Sequence, residues 1–189
     1  MVPGAPFLEE YDVIGVDPGK TTGICVIRVN TKKQTWQLLS REEIGGMEDA
    51  DRLHTLSCRL HMLCYRTPNE VTLGAVAMEY LQAHKQYSHQ EKAEAQGVIR
   101  LTAYETGAFM SLYAPTTIRK VVTGRGDAKA GDISRVLREL TGLQNPRPGF
   151  TAHQQDALAV ALCYAMLDGR LNKLKPAQRG EEDTDDQSR

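Results

Sequence analysis

The sequence predicts an α/β layered domain, built on a five-stranded mixed sheet with an antiparallel three-strand edge, parallel strands beyond it, and helices on both faces. Three observations predict it. Short strand-like runs near the N-terminus are separated by turns too brief to hold a helix, which makes them antiparallel neighbours. The later run 71–78 is almost unbroken in apolar residues, as suits a parallel strand covered on both faces. Segments of helical periodicity flank the later strands, so the chain crosses over the sheet between them.

An arm, residues 1–10, precedes the domain. Residues 11–16 form a brief apolar run stopped by Asp17-Pro18-Gly19, a strand leaving the sheet at a turn. Residues 23–29 and 35–39 are strand-like and separated by Asn30-Thr31-Lys32-Lys33, a hairpin. Over 47–65, Leu53, Leu56, Leu60 and Leu63 recur at helical spacing, and Pro68 follows the stop. The strand 71–78 ends on a single charge, Glu79. A helix is predicted over 86–110 from Tyr87, Ala95, Val98, Leu101 and Ala108, then a short strand over 111–114 that halts at Pro115. Beyond a turn at Thr123-Gly124-Arg125-Gly126, Ile133, Val136, Leu137 and Leu140 mark a helix with Asp132 at its cap and Gly142 at its exit. Arg135 and Arg138 lie off that stripe, facing solvent or a polyanion. After a loop at 145–149, Thr151 and Gln154 form a capping-box signal for a last helix over 152–167. The order β-β-β-α-β-α-β-α-α occupies residues 11–170, and 171–189 is expected to be a disordered tail ending in an acidic run.

Composition narrows the class. With 41% apolar and 25% charged residues the chain is not wholly disordered, and no apolar run reaches the roughly 18 residues of a membrane span. The first residues lack a basic and an apolar region, so no secretory signal is expected. Cys25, Cys58, Cys64 and Cys163 show no zinc spacing and read as buried free thiols in a reducing compartment. A formal charge of −1 argues at face value against a nucleic-acid protein. The distribution of that charge argues the other way. Residues 181–189 hold five acids and one base, leaving 22 basic against 19 acidic groups before them; residues 84–138 carry nine basic against five acidic.

Three acids occupy special places. Asp17 and Glu79 end two strands; if these are adjacent and parallel, the carboxylates stand side by side where open α/β sheets hold ligands. Asp156 opens the last helix, with His153 three residues earlier on the same face. Asp before Pro-Gly is commonly a turn former, a Glu ending a strand commonly a solvated end, and an acid near a helix start commonly serves the dipole. Their shared end of the sheet, and an apolar helix following Asp156, favour a joint role. Clustered carboxylates repel unless a cation lies between them, and the set suits Mg²⁺, or Mn²⁺ with the imidazole. Two such ions roughly 3.5–4 Å apart would form a phosphodiester-hydrolysing centre.

The motifs Val13-Ile14-Gly15-Val16-Asp17-Pro18-Gly19 with Thr22-Gly23, Val76-Ala77-Met78-Glu79, Tyr113-Ala114-Pro115 with Ile118-Arg119-Lys120-Val121-Val122-Thr123-Gly124 and Gly126, and His153-Gln154-Gln155-Asp156 with its apolar continuation resemble, in order and spacing, the RuvC family of Holliday-junction resolvases. The resemblance spans residues 11–168. It implies an RNase H-like fold, a homodimer, and paired symmetric nicking of four-way DNA junctions with two Mg²⁺ (or Mn²⁺) ions. By it, Asp17, Glu79 and Asp156 correspond to the metal-binding acids, with His153 as a further ligand or the group that positions the attacking water. Arg119, Lys120, Arg125 and Lys129 match the basic DNA-contacting region. The family commonly carries a junction-stacking aromatic three positions after the second acid, where this chain has Gln82; Tyr80 and Tyr87 are the nearest aromatics, and Lys85 lies within reach of phosphates.

Rival readings are weaker. Gly19-Lys20-Thr21 lacks the glycine five residues earlier that a P-loop needs, Ile14 standing there. An actin-like nucleotide clamp needs two lobes. An inactive junction-binding module would gain nothing from a repelling acidic cluster. A related nuclease acting on other branched DNA or RNA–DNA hybrids is the main alternative. The helix within 86–110 is the expected dimer interface. The expected location is a cytoplasm, for a bacterial or phage-encoded chain, or an organelle; no residue pattern identifies a branch-migration helicase as partner.

Overall fold

A computed structural model of the chain describes residues 9–65, 72–80, 90–141 and 149–174. Its strands are β1 (Glu10–Asp17), β2 (Thr22–Asn30), β3 (Thr35–Ile44), β4 (Thr72–Glu79) and β5 (Met110–Tyr113), arranged in one sheet in the order β3-β2-β1-β4-β5. The first three pair antiparallel; β4 pairs parallel with β1, and β5 parallel with β4. The mixed sheet and its antiparallel edge therefore stand as the sequence predicts. Five helices complete the described chain: α1 (Asp49–Tyr65), α2 (Gln90–Glu105), α3 (Pro115–Thr123), α4 (Ala130–Thr141) and α5 (Ala152–Leu167).

Two cores lie on opposite faces of the sheet because side chains alternate along each strand. Val13, Cys25, Ile27, Ala75 and Ala77 face α5, α3 and α4. Ile14, Val16, Ile24, Val76 and Met78 face α1 and α2. Helix α5 is buried without interruption from Ala157 to Ala165, since it lies between the sheet and the α3–α4 pair. Leu158, Val160 and Leu162, fully buried there, each contribute about 1.5–3 kcal/mol. Its start is the predicted capping box: Thr151 Oγ1 accepts from the Gln154 amide at 3.2 Å, and Gln154 Oε1 accepts from the Thr151 amide at 3.3 Å.

The structure corrects the sequence reading in several places. Pro115 does not only stop β5; it opens an unpredicted helix, α3, as a proline at a first helical position does. Ile118 and Val122 bury its inner face, and Gly124, at φ 80°, closes it in the left-handed conformation. Helix α2 ends at Glu105, five residues before the predicted limit, and a turn with Gly107 at φ 68° leads into β5 one residue early. Helix α4 begins at Ala130, so Asp132 sits inside its first turn and accepts the Lys129 amide at 3.1 Å. Cys58 is exposed, unlike the other three cysteines, because it lies off the leucine stripe of α1. Leu171 is buried in the first core, so packing runs past residue 170. Glu10, the last residue of the expected arm 1–10, already belongs to β1, whereas residues 1–8 of that arm, the start of the predicted helix at 86–89, Gln82, Lys85, Tyr87 and Gly142, and the acidic run lie outside the described residues. No described helix is long and apolar enough to cross a membrane.

Candidate active site

Two glycines decide how closely α5 approaches the sheet. A Cβ on Gly15 would collide with the Ala157 carbonyl oxygen, and one on Gly23 with the His153 carbonyl oxygen. Gly23 pairs with Asp17 across β1 and β2. Helix backbone therefore rests directly on strand backbone at this point, and the first turn of α5 is brought to the end of β1. His153 Nδ1 donates to Asp17 Oδ2 at 2.8 Å. On the other side of Asp17, Val16 pairs with Met78, so Asp17 and Glu79 follow on adjacent parallel strands.

Glu79 is held from α2. Lys92 Nζ lies 3.0 Å from Glu79 Oε1, and one turn on Gln96 Nε2 donates to the Glu79 carbonyl at 2.9 Å. Below the turn after Asp17, the buried Arg52 of α1 donates from Nη1 to the Gly19 carbonyl at 2.9 Å, and its Nη2 reaches Glu94 Oε2 at 3.6 Å. These bonds tie the β1–β2 turn, α1 and α2 together around the acids.

The carboxylates feel one another. Asp156 is pushed up to about 6, first by burial and then by the charges of Asp17 and Glu79, against the opposing fields of His153 and Lys92. Asp17 is also raised, chiefly by burial, with the His153 hydrogen bond and Lys92 acting in the other direction. The four residues singled out in the sequence are thus brought to one end of the sheet. As arranged, no three His, Cys, Asp or Glu groups among the described residues converge closely enough to hold one ion. The donor chemistry nevertheless fits: three carboxylates and an imidazole in mutual electrostatic contact suit a divalent cation that prefers oxygen.

The basic residues lie on α3, α4 and the turn between them, elements that pack on the sheet face covered by α5. Gly126 packs against the Thr116 backbone, returning the turn that bears Arg125 to the start of α3. Ser134 of α4 donates to Gln155, the neighbour of Asp156. Lys120, Arg125, Lys129, Arg135 and Arg138 are exposed and Arg119 half-buried. Arg125 shares its charge with Asp127 at 3.2 Å, and Arg135 with Glu139 at 3.4 Å. Tyr80, half exposed, follows Glu79 directly.

Residues 13–164 match the model of the family described as crossover junction endodeoxyribonuclease RuvC. The chain belongs to the RuvC family. A family member from Rhodopirellula baltica is 33% identical over 160 residues, covering 80% of this chain and 84% of that protein. The RuvC of Thermus thermophilus is 28% identical over 167 residues, covering 87% and 98%. The structure of the Thermus RuvC in complex with a Holliday junction substrate superposes with a TM-score of 0.69 at 26% identity, over 88% of this chain and 99% of that one. The RNase H-like α/β fold is accordingly that of the RuvC structures.

Lys92, Gln96 and Arg52 are absent from the residues that the sequence of this RuvC family chain singles out. A signal existed for two of them. Arg52 occupies the first position of the stripe continued by Leu56, Leu60 and Leu63, and Gln96 lies beside Ala95 on the buried side of α2. A polar residue in a buried stripe demands a partner. Lys92 gave no such signal.

Proposed function

We propose that this chain is a structure-selective endodeoxyribonuclease that resolves four-way DNA junctions by paired symmetric nicks. The observation that carries this reading is the convergence of Asp17, Glu79 and Asp156 on one sheet end, close enough that two of them raise the third, in a chain of the RuvC family. Asp17, Glu79, Asp156 and His153 would hold two divalent cations, Mg²⁺ or Mn²⁺. When bound, such ions supply Lewis acidity toward the phosphate oxygens and lower the pKa of water. The Asp17 bond at Nδ1 orients the imidazole and leaves Nε2, in the neutral ring, as the one nitrogen that could either ligate a cation or position the attacking water. Burial raises both Asp17 and Asp156, and a bound cation would offset the repulsion among these carboxylates.

Arg119, Lys120, Arg125 and Lys129 would grip phosphates, with Arg135 and Arg138 further along α4 and Lys85 beyond the end of β4. Tyr80, exposed beside Glu79, would offer a ring at the junction core where Gln82 cannot stack. A homodimer would present two such sites to two related strands. Gly97, Leu101 and Tyr104 form an exposed stripe at helical spacing on α2, with Tyr104 85% exposed, and Met62 and Tyr65 add apolar surface on α1 beside it. That face is the proposed dimer contact.

The deciding experiment offers a synthetic four-way junction, a plain duplex and an RNA–DNA hybrid, each with Mg²⁺. Symmetric nicks in the junction alone support the reading. Cleavage of the hybrid in preference to the junction, or equal binding of junction and duplex, would overturn it.

A further inference from the structure

Lys92 is not a loose surface lysine. Its ammonium lies 3.0 Å from Glu79 Oε1, with the two side chains only 22% and 25% exposed. Helix α2 is anchored in the two turns that follow it: Ala95 and Ile99 are buried in the second core, Gln96 bonds the Glu79 backbone, and Glu94 faces Arg52. The same positive charge acts on Asp17 and Asp156. One ammonium therefore bonds Glu79 directly and acts at longer range on two further carboxylates.

We propose that Lys92 is a built-in counter-cation that holds Glu79 in the metal-free protein and must release it when divalent metal loads. The inference rests on the active-site reading above. A carboxylate bonded to an ammonium has an oxygen committed elsewhere, and an incoming divalent cation meets both that bond and the repulsion of a fixed positive charge. Lys92 thus stabilises the metal-free fold and sets the metal affinity lower than the acids alone would give. Once displaced, its flexible four-carbon stem lets the ammonium turn away from Glu79 toward solvent.

The test uses the full chain and Mn²⁺ alone, without DNA. Titration calorimetry on wild type, Lys92→Met, Lys92→Gln and Asp156→Asn reads the affinity, and melting in a chelator reads the metal-free fold. Lys92→Met is expected to bind Mn²⁺ roughly 5–10-fold more tightly, as loss of a half-buried ion-pair competitor implies, and to melt several degrees lower without metal. Lys92→Gln, which keeps a donor but no charge, is expected to fall between. In wild type, reductive methylation mapped by mass spectrometry should label Lys92 faster when Mn²⁺ is present, a readout that needs no variant to fold. If Asp156→Asn abolishes Mn²⁺ binding but Lys92→Met binds no more tightly and Lys92 labelling is unchanged, the counter-cation role is overturned and the active-site reading survives. Undiminished Mn²⁺ binding in Asp156→Asn would overturn the active-site reading itself.

Discussion

The imidazole of His153 donates from Nδ1 to Asp17 Oδ2 across 2.8 Å, joining the first turn of α5 to the last residue of β1 over 136 positions of sequence. An acid that is largely buried and an imidazole that is partly exposed fix each other's geometry before any substrate arrives. With the carboxylate accepting, the bond places the imidazole proton on Nδ1 and leaves Nε2 as the ring's free lone pair, and the consequences can be measured.

Asp17→Asn is expected to lower Mg²⁺-dependent junction nicking by about 10³-fold or more while leaving the fold intact, since the amide keeps the shape and loses the charge. His153→Ala should cost less, about 10²-fold, because it removes the orienting group but leaves three carboxylates. Single-turnover cleavage with circular dichroism as the folding control checks both. Retained nicking in Asp17→Asn would remove that residue from the site.

Stability in a chelator should depend on pH through Asp156. Its pKa is raised from 3.8 to about 6, so the folded state holds the proton more tightly than the unfolded chain. The corresponding stability is present below about 3.8 and is lost as pH rises through about 6. Solvent partly screens this half-buried carboxyl, so the loss is about 1–2 kcal/mol. Asp156→Asn should melt higher than wild type at pH 8 without metal, and the gap should close toward pH 4.

Gly23→Ala is expected to destabilise the fold by about 1–3 kcal/mol and to weaken Mn²⁺ binding, because the new methyl drives the start of α5 away from β2. Gly131→Ala on α4, where an added Cβ meets nothing, should instead be neutral or stabilise by up to about 1 kcal/mol. Denaturant melts with calorimetry separate the two. Equal behaviour of the pair would show that close approach at Gly23 does not position the site.

Removing residues 181–189 takes away five acids and one base. Junction binding should tighten by several-fold at 50 mM salt and little at 200 mM, as expected for long-range repulsion. Fluorescence anisotropy at the two salt concentrations tests it, and salt-independent affinities identical to wild type would deny the tail any electrostatic role.

Much of this molecule is legible in its sequence. The short apolar runs of β1 and β2 with the turn between each pair, the unbroken apolar run of β4 and the Thr151–Gln154 capping box are local signals with local causes, and each is found in place. The three acids stand out because strand ends and helix starts are also local. Helix α3 is not legible because Pro115 carries two meanings: it ends a strand by lacking an amide proton, and it opens a helix for the same reason. A nine-residue helix with two buried residues leaves too short a stripe to decide between them.

By itself, the sequence determined the strands, turns and caps and marked Asp17, Glu79, His153 and Asp156 as candidates, because periodicity, turns and caps are written over neighbouring positions. Only the tertiary structure decided what those acids face. Gly15 and Gly23 seat α5 on the sheet, Arg52 props the turn after Asp17, and Lys92 reaches Glu79 from another helix. Each is a contact between different elements of the fold rather than between neighbouring residues. Its cause is the packing of two cores against one sheet, and electrostatic fields act through space without regard to position in sequence.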